Sequence, residues 1–234
     1  MSLSALSKRL VTKRSTQSRL RNIQNAIRGF WDDAANELIH GSDLRNHCRG
    51  KTGMLLNVGC GDLIRPGWTN IDFEPRPGAF YFNALNPLPI NDQTIARINA
   101  EHFLEHLEYD DAVRFLNECY RVLTIGGTMR IVVPDAERYM RAYVGDETEF
   151  FDRLKNLGGS ADPLPTKGAI CNQMFQMSGH HRFAWDFETL EYSARRIGFK
   201  AITRSHQNDE SVPDCIDGQD WWRPFESLYV TMTR

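Results

Sequence analysis

Two groups of residues in this 234-residue chain combine types and spacings suited to chemistry. The first is Leu55-Leu56-Asn57-Val58-Gly59-Cys60-Gly61-Asp62, followed by Asn70-Ile71-Asp72. Glycines let the backbone leave a buried strand tightly and come close to a ligand. A carboxylate at Asp72, ending the next strand, can accept two hydrogen bonds from ribose hydroxyls. This pairing suits a nucleoside held at the carboxyl ends of parallel strands. Ile64 stands where a dinucleotide loop needs its third glycine, and no Gly-Lys-Ser/Thr follows. A pyrophosphate ligand, and with it a nicotinamide oxidoreductase, is therefore disfavoured. Taken alone, a Gly-x-Gly is equally an ordinary strand-to-helix turn.

The second group is histidine-rich. His102-Phe103-Leu104-Glu105-His106 matches the H-x-x-E-H pattern of inverted zinc peptidases. On a helix, His102 and His106 would share a face and reach one zinc ion, with Glu105 near an attacking water. Such a site needs a third ligand, for which only Glu108 and Glu118 are conceivable, so no metal ligation is expected. A position just after a strand and at the start of a helix fits a pocket-lining role better. Downstream lies Gly179-His180-His181-Arg182-Phe183-Ala184-Trp185-Asp186. Asp186 suits an N-cap, with Glu188 and Thr189 in the first turn. The histidines and Arg182 make either an acceptor wall or a polar loop that fastens a cover to the sheet. Trp221, Trp222 and Arg223 form either a stacking and anion-binding platform or the buried part of an edge loop.

These groups must be positioned by regular elements. Apolar runs predict strands over Met54–Val58, Trp68–Ile71, Phe80–Phe82, Ile95–Asn99, Thr128–Val133, Phe199–Arg204 and Leu228–Met232. Helical spacing predicts helices over Leu107–Leu123 and Phe187–Ile197, with Gly126–Gly127 closing the connection after the first. The alternation argues for a Rossmann-like α/β three-layer sandwich with a mostly parallel sheet of about seven strands. The last two strands are expected side by side at one edge. Residues 136–180 read as an inserted helical or loop cover within a domain spanning 51–234. Residues 1–50 read as a basic helical arm, with Leu20, Ile23, Ile27, Phe30, Ala34 and Leu38 forming an apolar stripe.

Composition narrows the function classes. Hydrophobic residues make up 41% and charged residues 25%, enough for a folded core. The net charge is −2, yet Lys8, Arg9, Lys13, Arg14, Arg19, Arg21 and Arg28 all precede the first acid, Asp32. The remainder is thus acidic, with 21 of the 28 basic residues set against all 30 acids. That balance argues against broad nucleic-acid binding, while the arm permits peripheral contact with anionic lipid. Five widely spaced cysteines with no C-x-x-C fit a reducing cytoplasm rather than a disulfide or zinc framework. No secretory signal or membrane-spanning run is evident.

The segments Leu56–Gly61, Gly67–Asp72, Pro87–Ile90, His102–Leu107, Arg121–Gly127 and Ile131–Asp135 occur in the order found in class I S-adenosylmethionine-dependent methyltransferases. More narrowly, the chain resembles small methyltransferases with LNVGCG and EHxxEH motifs, some associated with glycan biosynthesis. The resemblance covers about residues 53–135 and extends more loosely to the end. It implies that Asn57, Gly59, Cys60 and Gly61 lie beneath the methionine part of the cofactor. It places Asp72 on the ribose, Phe73, Asn83, Ala84 and Leu85 around the adenine, and Ala100 and Glu101 at the methyl-transfer site. His102 is the first candidate for a base acting on an acceptor hydroxyl, followed by His106, His180 and His181. The implied acceptor is a small molecule or glycan. Asn57, Asp62 and Asn83 depart from the residues common in the larger class. They keep open a non-catalytic binding or scaffold protein, and the basic arm keeps open an RNA or protein methyltransferase.

Overall fold

The computed structural model describes residues 39–40, 42–156, 164–212 and 217–234. Residues 1–38 and 41 of the expected N-terminal arm, with its whole apolar stripe, and Cys215 lie outside them, while Leu44 and Cys48 at the arm's end pack into the core. Seven strands form one sheet: β1 Met54–Val58, β2 Thr69–Asp72, β3 Phe80–Tyr81, β4 Ile95–Glu101, β5 Leu123–Pro134, β6 Lys200–Ser205 and β7 Ser227–Thr233. Their spatial order is β3-β2-β1-β4-β5-β7-β6. The first five run parallel, and β7 is antiparallel to both β5 and β6. The sheet is therefore Rossmann-like and mostly parallel, with β6 and β7 adjacent at one edge as the sequence suggests.

Helices α1 Tyr109–Val122 and α5 Phe187–Ile197 bury one face each against the sheet and touch one another. Ala112, Phe115, Leu116, Cys119 and Val122 supply the α1 face. These follow the three-and-four spacing that makes a helix amphipathic. Asp186 caps α5 by accepting a 2.8 Å hydrogen bond from the Thr189 amide. The α5 helix stops at Gly198, whose φ of 119° lies in the left-handed region that glycine tolerates.

Gly126 and Gly127 do not close the connection after α1 but lie inside β5, which begins directly at Leu123. The β4–β5 register jumps from Ile95↔Leu123 to Arg97↔Thr128. The glycines occupy this bulge, where extra residues can loop out without ending the pairing.

Three further helices, α2 Ala136–Val144, α3 Thr148–Leu154 and α4 Lys167–Gln176, follow β5. They pack around their own apolar cluster of Tyr139, Ala142, Phe150, Phe151, Leu154, Ile170 and Met174. This second core roofs the carboxyl end of β5 and leaves a cavity beneath it. Among the described residues no helix is long and apolar enough to cross a membrane.

Candidate functional site

Register brings the glycine turn and the acid to one rim. Val58 pairs with Ile71 on one side and Ala100 on the other, so β1, β2 and β4 end at the same level. One residue earlier, Asn70, Asn57 and Asn99 form a row of buried amides across the three strands. Asn57 Nδ2 donates to Asn70 Oδ1 at 3.0 Å, and Asn99 Nδ2 donates to Asn57 Oδ1 at 3.1 Å. Asn57 and Asn70 also bond the backbone of Leu63 and Arg65. The row thus stitches the loop after Gly61 back onto the sheet.

Above this row lies a cleft of 830 Å³ lined by Gly59, Gly61, Asp72, Phe73, Asn83, Ala84 and Leu85. Gly59 has a φ of 60°, and a Cβ there would stand 2.4 Å from the Phe103 ring. Only glycine meets both demands. The Gly61 amide donates to Asp72 Oδ2 at 2.8 Å, and the Glu74 amide donates to Oδ1 at 2.9 Å. Each oxygen keeps a second lone pair for a ligand hydroxyl. Asn83 Oδ1 accepts from the Leu85 amide at 2.9 Å, which fixes the opposite lip.

Four of the residues assigned to the cofactor from sequence lie off the cleft wall: Asn57, Cys60, Ala100 and Glu101. Asn57 belongs to the amide row. Cys60 is buried, and its thiol is pushed up to about 11 by burial and by the charge of Asp72. Ala100 is packed in the core. Glu101 holds Arg65 at 3.2 Å and Arg223 at 2.5 Å, a buried cross-link between distant loops. Arg76 also lines the cleft, held by Asp62 and Glu74 at 2.6 and 2.7 Å. No motif in the sequence singles it out.

The second cavity, of 320 Å³, shares His102 and His106 with the cleft. Leu154, Leu164, Ile170, Met174 and Trp222 give it an apolar wall, while Tyr139, Gln173, Arg223 and Glu226 add polar groups. Trp222 and Arg223 thus meet a cavity, whereas Trp221 is exposed. Tyr139, Gln173 and Glu226 carry no motif that sequence reading could isolate.

His102 follows β4 directly with a left-handed φ of 48°. Such backbone strain in a non-glycine residue is held only where its surroundings over-determine it. Its Nδ1 lies 3.3 Å from Glu105 Oε1, and its Nε2 lies 3.1 Å from Ser227 Oγ and 4.0 Å from Glu226 Oε1. The Trp222 ring stands edge-on, 5.2 Å away. Burial depresses the His102 pKa, but the hydrogen bond and charge of Glu105, joined by Glu226, outweigh it and raise the pKa. For Glu105 burial pushes upward, yet His102 and His106 hold the carboxyl below its ordinary value. Glu226 moves the other way, because burial dominates over His102 and the hydroxyl bonds from Tyr139 and Ser227. Two buried carboxylates beside one imidazole are therefore driven apart in acidity.

Residues 102–106 do not form the α-helix that the zinc-peptidase reading of H-x-x-E-H requires. Only Leu104–His106 make a single tight turn, so His102 and His106 do not share a helix face. His181 is brought beside His106, their ring centres 4.9 Å apart. His180 lies outside both cavities and offers its backbone carbonyl to His106 Nδ1 at 3.1 Å. Glu118 instead pairs with Arg121 at 2.8 Å.

A family model described as a methyltransferase domain matches residues 75–131, from the loop after β2 through most of β5. S-adenosylmethionine is the cofactor expected of that domain, and the match supports an S-adenosylmethionine-dependent methyltransferase as the enzyme class. No curated protein is similar in sequence to the chain. Solved structures with similarity include an S-adenosylmethionine-dependent methyltransferase from Archaeoglobus fulgidus, 14% identical. That pairing covers 85% of this chain and 94% of the other, with a TM-score of 0.46. The YcgJ protein of Bacillus subtilis is 14% identical over 82% of this chain and 97% of its own, with a TM-score of 0.47.

Proposed function

We propose that the chain transfers a methyl group from S-adenosylmethionine to a hydroxyl of a small acceptor whose body is largely apolar. One observation carries this reading: an 830 Å³ nucleoside-type cleft and a 320 Å³ apolar cavity meet at the same two histidines. Gly59 and Gly61 would underlie the methionine part, Asp72 the ribose, and Phe73, Asn83 and Leu85 the adenine. S-adenosylmethionine, when bound, supplies a methyl already activated by its sulfonium.

The protein's tasks are then alignment and proton removal. The apolar wall orients the acceptor and excludes water. Glu105 holds His102 Nδ1, and Nε2, which meets Ser227 Oγ in this structure, would take the hydroxyl proton once the acceptor displaces that contact. The cavity's size favours a small acceptor over a polymer, and its apolar lining favours a ring or aliphatic body over a bare sugar.

Calorimetry with S-adenosylmethionine tests the first half. Binding at the cleft is expected, and Asp72→Ala should weaken it by roughly 1–3 kcal/mol, the cost of a lost hydrogen-bond acceptor. A folded protein with no affinity would return the chain to the scaffold reading.

A further inference from the structure

We propose that Glu105, His106 and His181 form a binding site for a divalent transition metal, for which zinc is the best match. One ligating atom from each residue lies within 4.8 Å of the other two. Three atoms so spaced share a point within about 2.8 Å, so movements under about 1 Å reach the 2.0–2.2 Å bonds that zinc makes. Two imidazoles and one carboxylate are a borderline donor set suited to zinc, cobalt or ferrous iron rather than calcium or magnesium.

The surrounding bonds prepare these groups for a cation. His106 Nδ1 meets the His180 carbonyl at 3.1 Å, and His181 Nδ1 meets the Met174 carbonyl at 2.6 Å. Each carbonyl fixes the proton on Nδ1 and leaves Nε2 as the open lone pair, the arrangement that outer-shell partners impose on metal-ligating histidines. Glu105 is 1% exposed, and its Oε2 has no hydrogen-bond partner. A fully buried carboxylate with an unsatisfied oxygen is costly unless a cation or donor meets it. The two ligand-bearing segments are also tied together. The amides of Arg182 and Phe183 donate to the Glu105 carbonyl at 2.8 and 3.2 Å.

All three residues line the 320 Å³ cavity. Three protein ligands leave a fourth position open to that cavity, as in zinc sites that bind a reactant. The inference differs from the H-x-x-E-H expectation, since His102 is replaced as ligand by His181. It shares Glu105, His106 and the acceptor cavity with the proposed methyl transfer, but metal binding is read without any cofactor.

Cobalt(II) provides the direct test. The chelator-treated full chain is titrated with cobalt(II) and then zinc(II), and visible absorption is recorded. One equivalent should develop the bands of a four- or five-coordinate site, and zinc should bleach them. His181→Asn and His106→Asn should weaken binding at least tenfold, while the remote His206→Asn should not. Absence of a one-equivalent spectrum, or full retention in both site variants, would overturn the proposal. Should either site variant misfold, mapping of histidine acylation in the unaltered protein decides. Zinc should protect His106 and His181 but not His40, and equal labelling with and without zinc would refute the site.

Discussion

At the residue scale, the chemistry rests on groups whose environments pull them apart. His102 is strained, half-buried and held between two carboxylates of opposite tendency. We expect His102→Gln to lower turnover by roughly 10²- to 10⁴-fold, the usual worth of a positioned base. Affinity for S-adenosylmethionine, measured by calorimetry, should stay within about threefold if the ring acts as base. Equal losses in both would assign His102 to cofactor binding. Gly59 makes a complementary prediction. Gly59→Ala forces a Cβ against the Phe103 ring at a backbone angle alanine disfavours. A loss of about 1–3 kcal/mol in chemical denaturation is expected, as for other overpacked sites. A glycine turn, an acid ending the neighbouring strand and clustered histidines are local patterns, so the sequence singles these residues out. Asn57 and Glu101 lie off the cleft wall, and their neighbours come from remote strands and loops. No spacing reveals that Asn57 sits in a row with Asn70 and Asn99, or that Glu101 meets Arg65 and Arg223.

At the element scale, Arg121 fastens α1 to the loop before β4. Its guanidinium donates to the carbonyls of Leu88 and Ile90 at 2.8 and 2.9 Å and pairs with Glu118 and Asp92. The Arg121 hydrogen bond is the largest influence holding the Glu118 carboxyl below its ordinary 4.5, with partial burial opposing. A depressed carboxyl stabilises the fold above its unfolded pKa and loses that contribution as pH falls through the folded value. Glu118→Gln should therefore melt lower than the unaltered protein at pH 7. The two melting temperatures should converge as the pH drops below about 4. A difference that persists in acid would place the effect in packing instead. Most elements were legible because their periodicity is strong, as in α1 and β1. The helix expected over Leu107–Leu123 starts at Tyr109, and the apolar pattern before it ends in a separate single turn at Leu104–His106. The left-handed bend at His102 interrupts that pattern without any glycine or proline to announce it.

At the scale of the whole molecule, one buried ion pair clamps the edge excursion to the sheet. Arg130 on β5 binds Asp217 through Nε and Nη2 at 2.7 and 2.6 Å, and also reaches Ser205 Oγ and the His206 carbonyl. Removing one member of such a pair strands a charge. Arg130→Ala should cost about 3–5 kcal/mol in urea unfolding. A much smaller loss would mean that water reaches Asp217 readily. The cover built from α2, α3 and α4 has its own apolar core, so it can be expected to loosen independently of the sheet. Hydrogen exchange should find faster opening there than in α1, and uniform protection would make the two cores one cooperative unit.

The placement of β7 has a consequence for how the chain reaches this state. That strand wedges between β5 and β6, although β6 precedes it in sequence. Until it docks, the flank of β5 is an unsatisfied ladder of amides and carbonyls, open to any passing strand. Closing that gap requires segments far apart along the polypeptide to meet, which is the slow kind of assembly. Crowded refolding should therefore lose material to aggregation, and dilution or a soluble peptide copying residues 227–233 should change the yield.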